Sequence, residues 1–298
     1  MPIYIARVSY GKDSLKMLDV IASRHYPLDR ITTSDVWATD TISACLPPVE
    51  EFKARMDEYI WKKYRIEVEH LCARNKDGSK KTYEQGFYHI PKRKEKKTDV
   101  ERESQRFPWW YTVVSITTPH TRNHKGVPGY GRGAMVSETE ARPGFFDMSD
   151  TTDGDKDIVE YLGIAADEPK RFGQLNDKKR APLAELGIEE DLCGLHCQYE
   201  GILSPSYETS FRDGCWFCHN QSVNQLRLLR KNYPDRWALL LKWDKDSPTT
   251  FHPDGHTVHD FDKRFRLEDD GLIDPLKPFR WDMLDDSKPL QVNLFNLF

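Results

Sequence analysis

The chain has 298 residues, 38% hydrophobic and 12% aromatic, enough apolar side chain for a buried core, which excludes global disorder. Its formal net charge of −4, with 31% charged residues, excludes a uniformly basic nucleic-acid coat protein and leaves room only for a local basic patch. No apolar run reaches the length of a membrane span, and Met1 to Val8 lacks the pattern of a secretion signal, so the expected location is the cytoplasm. Thiols stay reduced there, and the six cysteines are read as metal ligands, redox groups or core residues.

Ile3-Tyr4-Ile5-Ala6-Arg7-Val8 is rich in apolar and β-branched residues and predicts a first, buried strand. A turn at Ser9 to Gly11 leads into a helix over Asp13 to Arg24, with Leu15, Leu18 and Ile21 at helical spacing. Ile31 to Trp37 predicts a second strand. Pro47-Pro48 suits the start of a helix that runs from Val49 to Tyr64 with Phe52, Met56 and Ile60 on one face. Ile66 to Leu71 alternates as a third strand. This rhythm predicts an α/β fold, an open and mostly parallel sheet with helices on both faces.

From Arg74 to Arg106 the pattern breaks, and Lys92-Arg93-Lys94-Glu95-Lys96-Lys97 is a charge run, read as a solvated loop or as contact with a phosphate-rich partner. Phe107 to Tyr111 holds four aromatic residues, which pack in a core or stack on bases. Gly126 to Gly133 is a glycine-rich loop. Regular structure resumes at Asp157 to Leu162, followed by helices over 182–199 and 223–243. The expected division is a nucleotide-binding α/β domain over 1–175 with a basic insertion near 74–106. A helical cysteine-bearing region covers 176–245, and a polar tail packs on the body over 246–298.

The turn Ser9-Tyr10-Gly11-Lys12-Asp13-Ser14 suits phosphate. Glycine allows close backbone approach, the first N–H groups of a helix point at an anion, and Lys12, Ser9 and Ser14 add charge and hydroxyls. It lies between the first strand and the first helix, where open α/β sheets bind ligands. The glycine frames of the P-loop and the dinucleotide fold are both missing.

Val8-Ser9-Tyr10-Gly11-Lys12-Asp13-Ser14 resembles the PP-loop of the adenine-nucleotide α-hydrolase superfamily. Within it the chain is most similar to the phosphoadenosine phosphosulfate reductase family, in its phage or mobile-element branch. Trp37-Ala38-Thr39-Asp40-Thr41 with Pro47 to Glu50, Gly163 to Arg171, and Gly214-Cys215-Trp216-Phe217-Cys218 resemble further motifs of that family, in the expected order. The resemblance implies that Ser9, Gly11, Lys12, Asp13 and Ser14 cradle the phosphates of ATP. Asp40 would sit at the end of the second strand, near the ribose or a magnesium ion, and Glu168 and Arg171 would face the substrate. The plain alternative for Glu168 and Arg171 is an exposed helical i,i+3 pair. The Lys-Asp-Ser run resembles members that split ATP between its α and β phosphates, which favours adenylation.

Cys193 and Cys197 are four apart, so on a helix both thiols face one side; Cys215 and Cys218 are separated by two residues in a turn. Four thiolates suit a zinc ion or an iron–sulfur cluster equally well, with a redox pair or buried cysteines as alternatives. The resemblance favours iron. A cysteine found in many relatives is missing from Gly131 to Arg142, so Cys193 replaces it or three thiolates hold the centre. His196 and His219 are spare candidates for the centre, with an ordinary exposed side chain the favoured reading of each. His252, His256 and His259 with Asp254 and Asp260 lack ligand-like periodicity, and Cys45 and Cys72 are expected in the core. The expected function is an enzyme that forms an adenylate from ATP, releases pyrophosphate and transfers sulfur at the cysteine-bound centre. A nucleic-acid or sulfur-donor partner would accompany it. The alternatives are an adenylyl-sulfate reductase and a non-catalytic nucleotide sensor.

Overall fold

A computed structural model of the chain describes residues 2–88, 158–208, 214–247 and 250–284, apart from 76 and 174. The charge run at 92–97, the aromatic cluster at 107–111, the glycine-rich loop at 126–133 and the segment 131–142 lie outside the described residues. The described chain divides into two compact units, one of residues 2–86 and 158–216 and the other of 87–88 and 217–284.

The first unit is built on a sheet. Ile3–Arg7 (β1), Arg30–Asp35 (β2), Val68–Cys72 (β3), Ile158–Leu162 (β4) and Lys179–Arg180 (β5) pair in parallel throughout, in the order β3-β2-β1-β4-β5. The α/β class predicted from the sequence is the class observed. After β1 the chain moves to one side through β2 and β3, and then returns to the other side through β4 and β5. The switch point therefore lies between β1 and β4, and the register sets Arg7 opposite Leu162, so both strands end at one edge. Open α/β sheets bind ligands outside the carboxyl ends of strands at such a point.

Lys12–Ser23 (α1) buries Leu15, Leu18 and Ile21, the positions that its sequence spacing marks. They join Ala6, Val8, Ile31 and Tyr161 in one core. Pro47–Tyr64 (α2) starts on two prolines that need no N–H partner and adds Phe52, Met56 and Ile60 to that core. Each such side chain contributes about 1.5–3 kcal/mol when fully buried. Tyr83–Tyr88 forms a short helix, α3.

The helix expected over 182–199 is two helices, Pro182–Glu185 and Glu190–Tyr199 (α5 and α6, after α4 at Pro169–Phe172). Gly187 takes φ of 68° between them, a conformation that ends a helix. The helix expected over 223–243 also divides, into Val223–Asn232 (α7) and Pro234–Asp246 (α8). Pro234 has no N–H to continue α7 and disfavours helical backbone at Tyr233. Beyond 246 the chain contains a helix, Val258–Asp269 (α9), that starts on a reciprocal capping box between Thr257 and Asp260. The boundary between the two units falls at Trp216 and Phe217, whereas composition suggests a break after 175.

Candidate functional site

β1 runs out at Arg7, and the chain turns through Val8 to Gly11 into α1, whose first N–H groups open on the carboxyl edge of the sheet. The serines close this turn. Ser14 Oγ accepts from the Ser9 backbone N–H at 3.2 Å and donates to the Gly11 carbonyl at 2.9 Å. A Cβ added to Gly11 would sit 3.3 Å from the Tyr207 hydroxyl. Gly163, the residue after β4, is tighter still, since a Cβ there would lie 2.8 Å from the Ser14 backbone nitrogen. Glycine alone allows the end of β4 to lie against the first turn of α1. The Ser9–Ser14 turn and the motif that opens at Gly163 thus meet at the switch point.

The charges around the turn are unevenly matched. Lys12 is ion-paired with Glu190 of α6, and its Nζ lies 3.8 Å from Asp13 Oδ1 and 5.3 Å from the centre of the Tyr207 ring. Burial works against the Lys12 charge, but the Glu190 hydrogen bond and Asp13 outweigh it and raise its pKa. For Asp13 burial wins, and its pKa rises above the ordinary aspartate value despite Lys12. Asp13 Oδ1 is buried with no hydrogen-bond partner. A buried carboxylate oxygen without a donor is costly; Lys12 offsets part of that cost from 3.8 Å, and an oxygen so placed also suits a divalent cation.

Glu168 and Arg171 pair with each other at 2.7 and 2.8 Å, at the start of α4. Glu168 is near enough to Asp13 to help raise its pKa. Asp40 does not end the second strand: β2 ends at Asp35, and Asp40 is exposed in a turn that the Thr39 hydroxyl closes on Ile42. Beside the Ser9 turn a cavity of about 230 Å³ opens between the ends of β1 and β2. Ser9, Thr32, Thr33, Lys53 and Arg7 line it, and Arg7 is held by Glu160 at 2.9 Å and by Thr32 at 2.9 Å.

The helical pair of cysteines faces one side as expected, but that side is the core. Cys193 and Cys197 are fully buried against α1, and Cys197 Sγ donates to the Lys12 carbonyl at 3.4 Å. Burial, with Asp13 nearby, pushes both thiols up to about 12, so they stay protonated at neutral pH. Metal binding requires thiolates, and among the described residues no three Cys, His, Asp or Glu side chains are grouped to hold a metal ion. Cys193 and Cys197 as they lie do not fit a zinc or iron–sulfur centre. Cys215 is half-buried beside Trp216, which donates from its backbone and indole N–H groups to Ala44 and Ser43; Cys218 is also half-buried. Cys45 and Cys72, expected in the core, are half-buried too; Cys72 ends β3, the last strand on its side of the sheet.

The histidines have structural partners. His196 contacts Lys16 at 3.4 Å, and His219 is buried. In the second unit His252 bonds the Gln221 carbonyl, His256 stacks on Trp281 at 3.6 Å, and His259 bonds Asp244 at 2.5 Å. No helix is long and apolar enough to cross a membrane among the described residues. No family model, curated protein or solved structure matches the chain.

Proposed function

We propose that the chain is an adenine-nucleotide-binding enzyme of the PP-loop type, with the adenine nucleotide α-hydrolase fold. It holds the polyphosphate of ATP on Ser9–Ser14 and forms an adenylate of its substrate with release of pyrophosphate. The observation that carries this is the meeting of the Ser9–Ser14 turn with Gly163 at the switch point of a parallel sheet. The N-terminus of α1, a helix of 12 residues, contributes N–H groups and a positive dipole end on an edge where a phosphate can approach the backbone.

Lys12 exchanges Glu190 for phosphate without losing an anionic partner, and so offsets charge on the leaving pyrophosphate. Asp13, whose Oδ1 makes no hydrogen bond and lies 3.8 Å from Lys12 Nζ, would hold magnesium, which when bound adds positive charge against the same leaving group. The cavity beside Ser9 receives part of the remaining nucleotide, and Glu168 and Arg171 act on the acceptor. Buried, protonated Cys193 and Cys197 give no support to sulfur transfer through a four-thiolate centre.

Calorimetry with ATP and magnesium tests the turn. Lys12→Ala combined with Asp13→Ala is expected to weaken ATP at least tenfold, about 1.4 kcal/mol, and unchanged affinity in a folded double variant overturns the proposal. Product analysis separates the activities: pyrophosphate marks adenylation, sulfite marks reduction of an adenylylated sulfate, and bound ATP without either product marks a sensing module.

A further inference from the structure

Tyr10 stands in the phosphate turn with φ of 61°, in the left-handed region that bulky side chains rarely adopt. Its ring is fully buried, in the core that includes Phe52 and Met56 of α2. Its hydroxyl donates to Asp57 Oδ1 of α2 and lies 3.4 Å from His70 Nε2. His70 Nε2 in turn sits 3.1 Å from Asp57 Oδ2, and its Nδ1 sits 3.0 Å from Asp35 Oδ2. Asp35 ends β2 and His70 lies in β3, so one polar chain ties the turn to a helix and two strands. Burial first, then Asp57, raises the Tyr10 pKa, which keeps the phenol a donor at neutral pH. Lys53, which lines the cavity, lies 5.5 Å from the centre of the same ring.

A non-glycine residue keeps such a backbone conformation only where its surroundings over-determine it. Here the surroundings are the buried ring and a charge-assisted hydrogen bond, the stronger kind. We propose that Tyr10 is a positioning residue, whose hydroxyl, anchored on Asp57 and braced by His70 and Asp35, holds the turn so that the N–H groups of Gly11 to Ser14 face phosphate. The proposal rests on the phosphate-binding role of the turn. Without the anchor the left-handed residue relaxes, and the amides that follow it change direction.

Tyr10→Phe tests the anchor because it keeps the ring and its packing and removes only the donor. Pyrophosphate affinity, measured by calorimetry well below the unfolding temperature, is expected to fall about tenfold. Asp57→Ala, at a half-buried position of α2, tests the same link from the other side and is expected to cost a similar factor. The double variant is expected to lose no more than the larger of the two single losses, because both variants remove the Tyr10–Asp57 link. A merely destabilising change elsewhere, such as Glu268→Ala in the second unit, is expected to leave pyrophosphate affinity unchanged. Unaltered affinity in both single variants overturns the proposal, and so do losses that add in the double variant. A wild-type protein that binds neither pyrophosphate nor ATP removes instead the phosphate-binding role on which it rests.

Discussion

In the helical second unit, Asp262 of α9 accepts from the Trp237 indole N–H at 2.8 Å and from Arg230 at 2.9 Å. Glu268, one and a half turns on, accepts from Arg227 and Arg264. At the Ser9–Ser14 turn of the first unit, Asp13 leaves one buried carboxylate oxygen with no hydrogen bond. Burial pushes all three carboxyls up. In Asp262 the Trp237 and Arg230 hydrogen bonds overcome it, in Glu268 the two arginines do, and both pKa values fall below the ordinary range. In Asp13 burial prevails. A buried acid with all its donors in place stabilises the fold; Asp13, left short of donors at the carboxyl edge of a parallel sheet, is placed where a ligand can complete it. The turn adds a left-handed Tyr10 and a lysine on an exchangeable partner, two further departures from a purely structural element.

The largest effect should come from breaking the satisfied side of this comparison. Glu268→Ala strands Arg227 and Arg264, whose side chains are 26% and 9% exposed. Loss of one member of a buried ion-pair network costs about 3–5 kcal/mol. Urea unfolding should show that loss while ATP affinity stays within about twofold, since the network belongs to the other unit. A cost below about 1 kcal/mol would make these pairs no different from surface ones.

Asp13→Asn tests the unsatisfied side, and the sign of its pH dependence is opposite. A carboxyl with a lowered pKa, such as Asp262 or Glu268, contributes stability above its ordinary value that is lost as pH falls through the lowered one. Asp13 is raised from 3.8, so its contribution is present below that value and is lost as pH rises through the raised one. Asp13→Asn is therefore expected to be more stable than wild type at neutral pH, with the difference shrinking as pH falls through the raised value and gone below the ordinary aspartate range. Magnesium-dependent ATP binding should weaken about tenfold in the same variant. Thermal unfolding across pH checks the first outcome, and a variant less stable than wild type at pH 7 would contradict it.

What the sequence made legible here follows from the range of each interaction. The strand of Ile3 to Arg7 and the helical faces of Leu15, Leu18 and Ile21 or Phe52, Met56 and Ile60 are local periodicities, and they appear where spacing puts them. The breaks at Gly187 and Pro234 and the cap of Thr257 with Asp260 carried readable signals as well, which longer-range apolar spacing masked. For Cys193 and Cys197, i,i+4 spacing identified one helix face correctly but not what that face meets; a core and a metal impose the same periodicity. The links of Tyr10 to Asp57 and His70, of Lys12 to Glu190, and of Ser14 to Gly163 join residues far apart in sequence. No local pattern marks such pairs, because the sheet order alone brings them together.

The smallest effect on stability is expected at Arg171, which stands between the two regimes. Its pairing with Glu168 looks complete, as in the second unit, yet the arginine side chain is 56% exposed. A solvent-exposed i,i+3 pair contributes only about 0.2–0.5 kcal/mol, so packing alone gives Arg171→Ala little to lose. Glu168 nevertheless helps to raise the pKa of Asp13, which puts the pair within electrostatic reach of the Ser9–Ser14 turn. If the pair acts on the acceptor substrate, Arg171→Ala should slow pyrophosphate release at least tenfold, with ATP affinity within about twofold and the unfolding midpoint nearly unchanged. In that case removing the cation would lower transition-state stabilisation without disturbing the Ser9–Ser14 turn. Full turnover with a measurable loss of stability would instead assign Arg171 to the structural class that Arg227 and Arg230 represent.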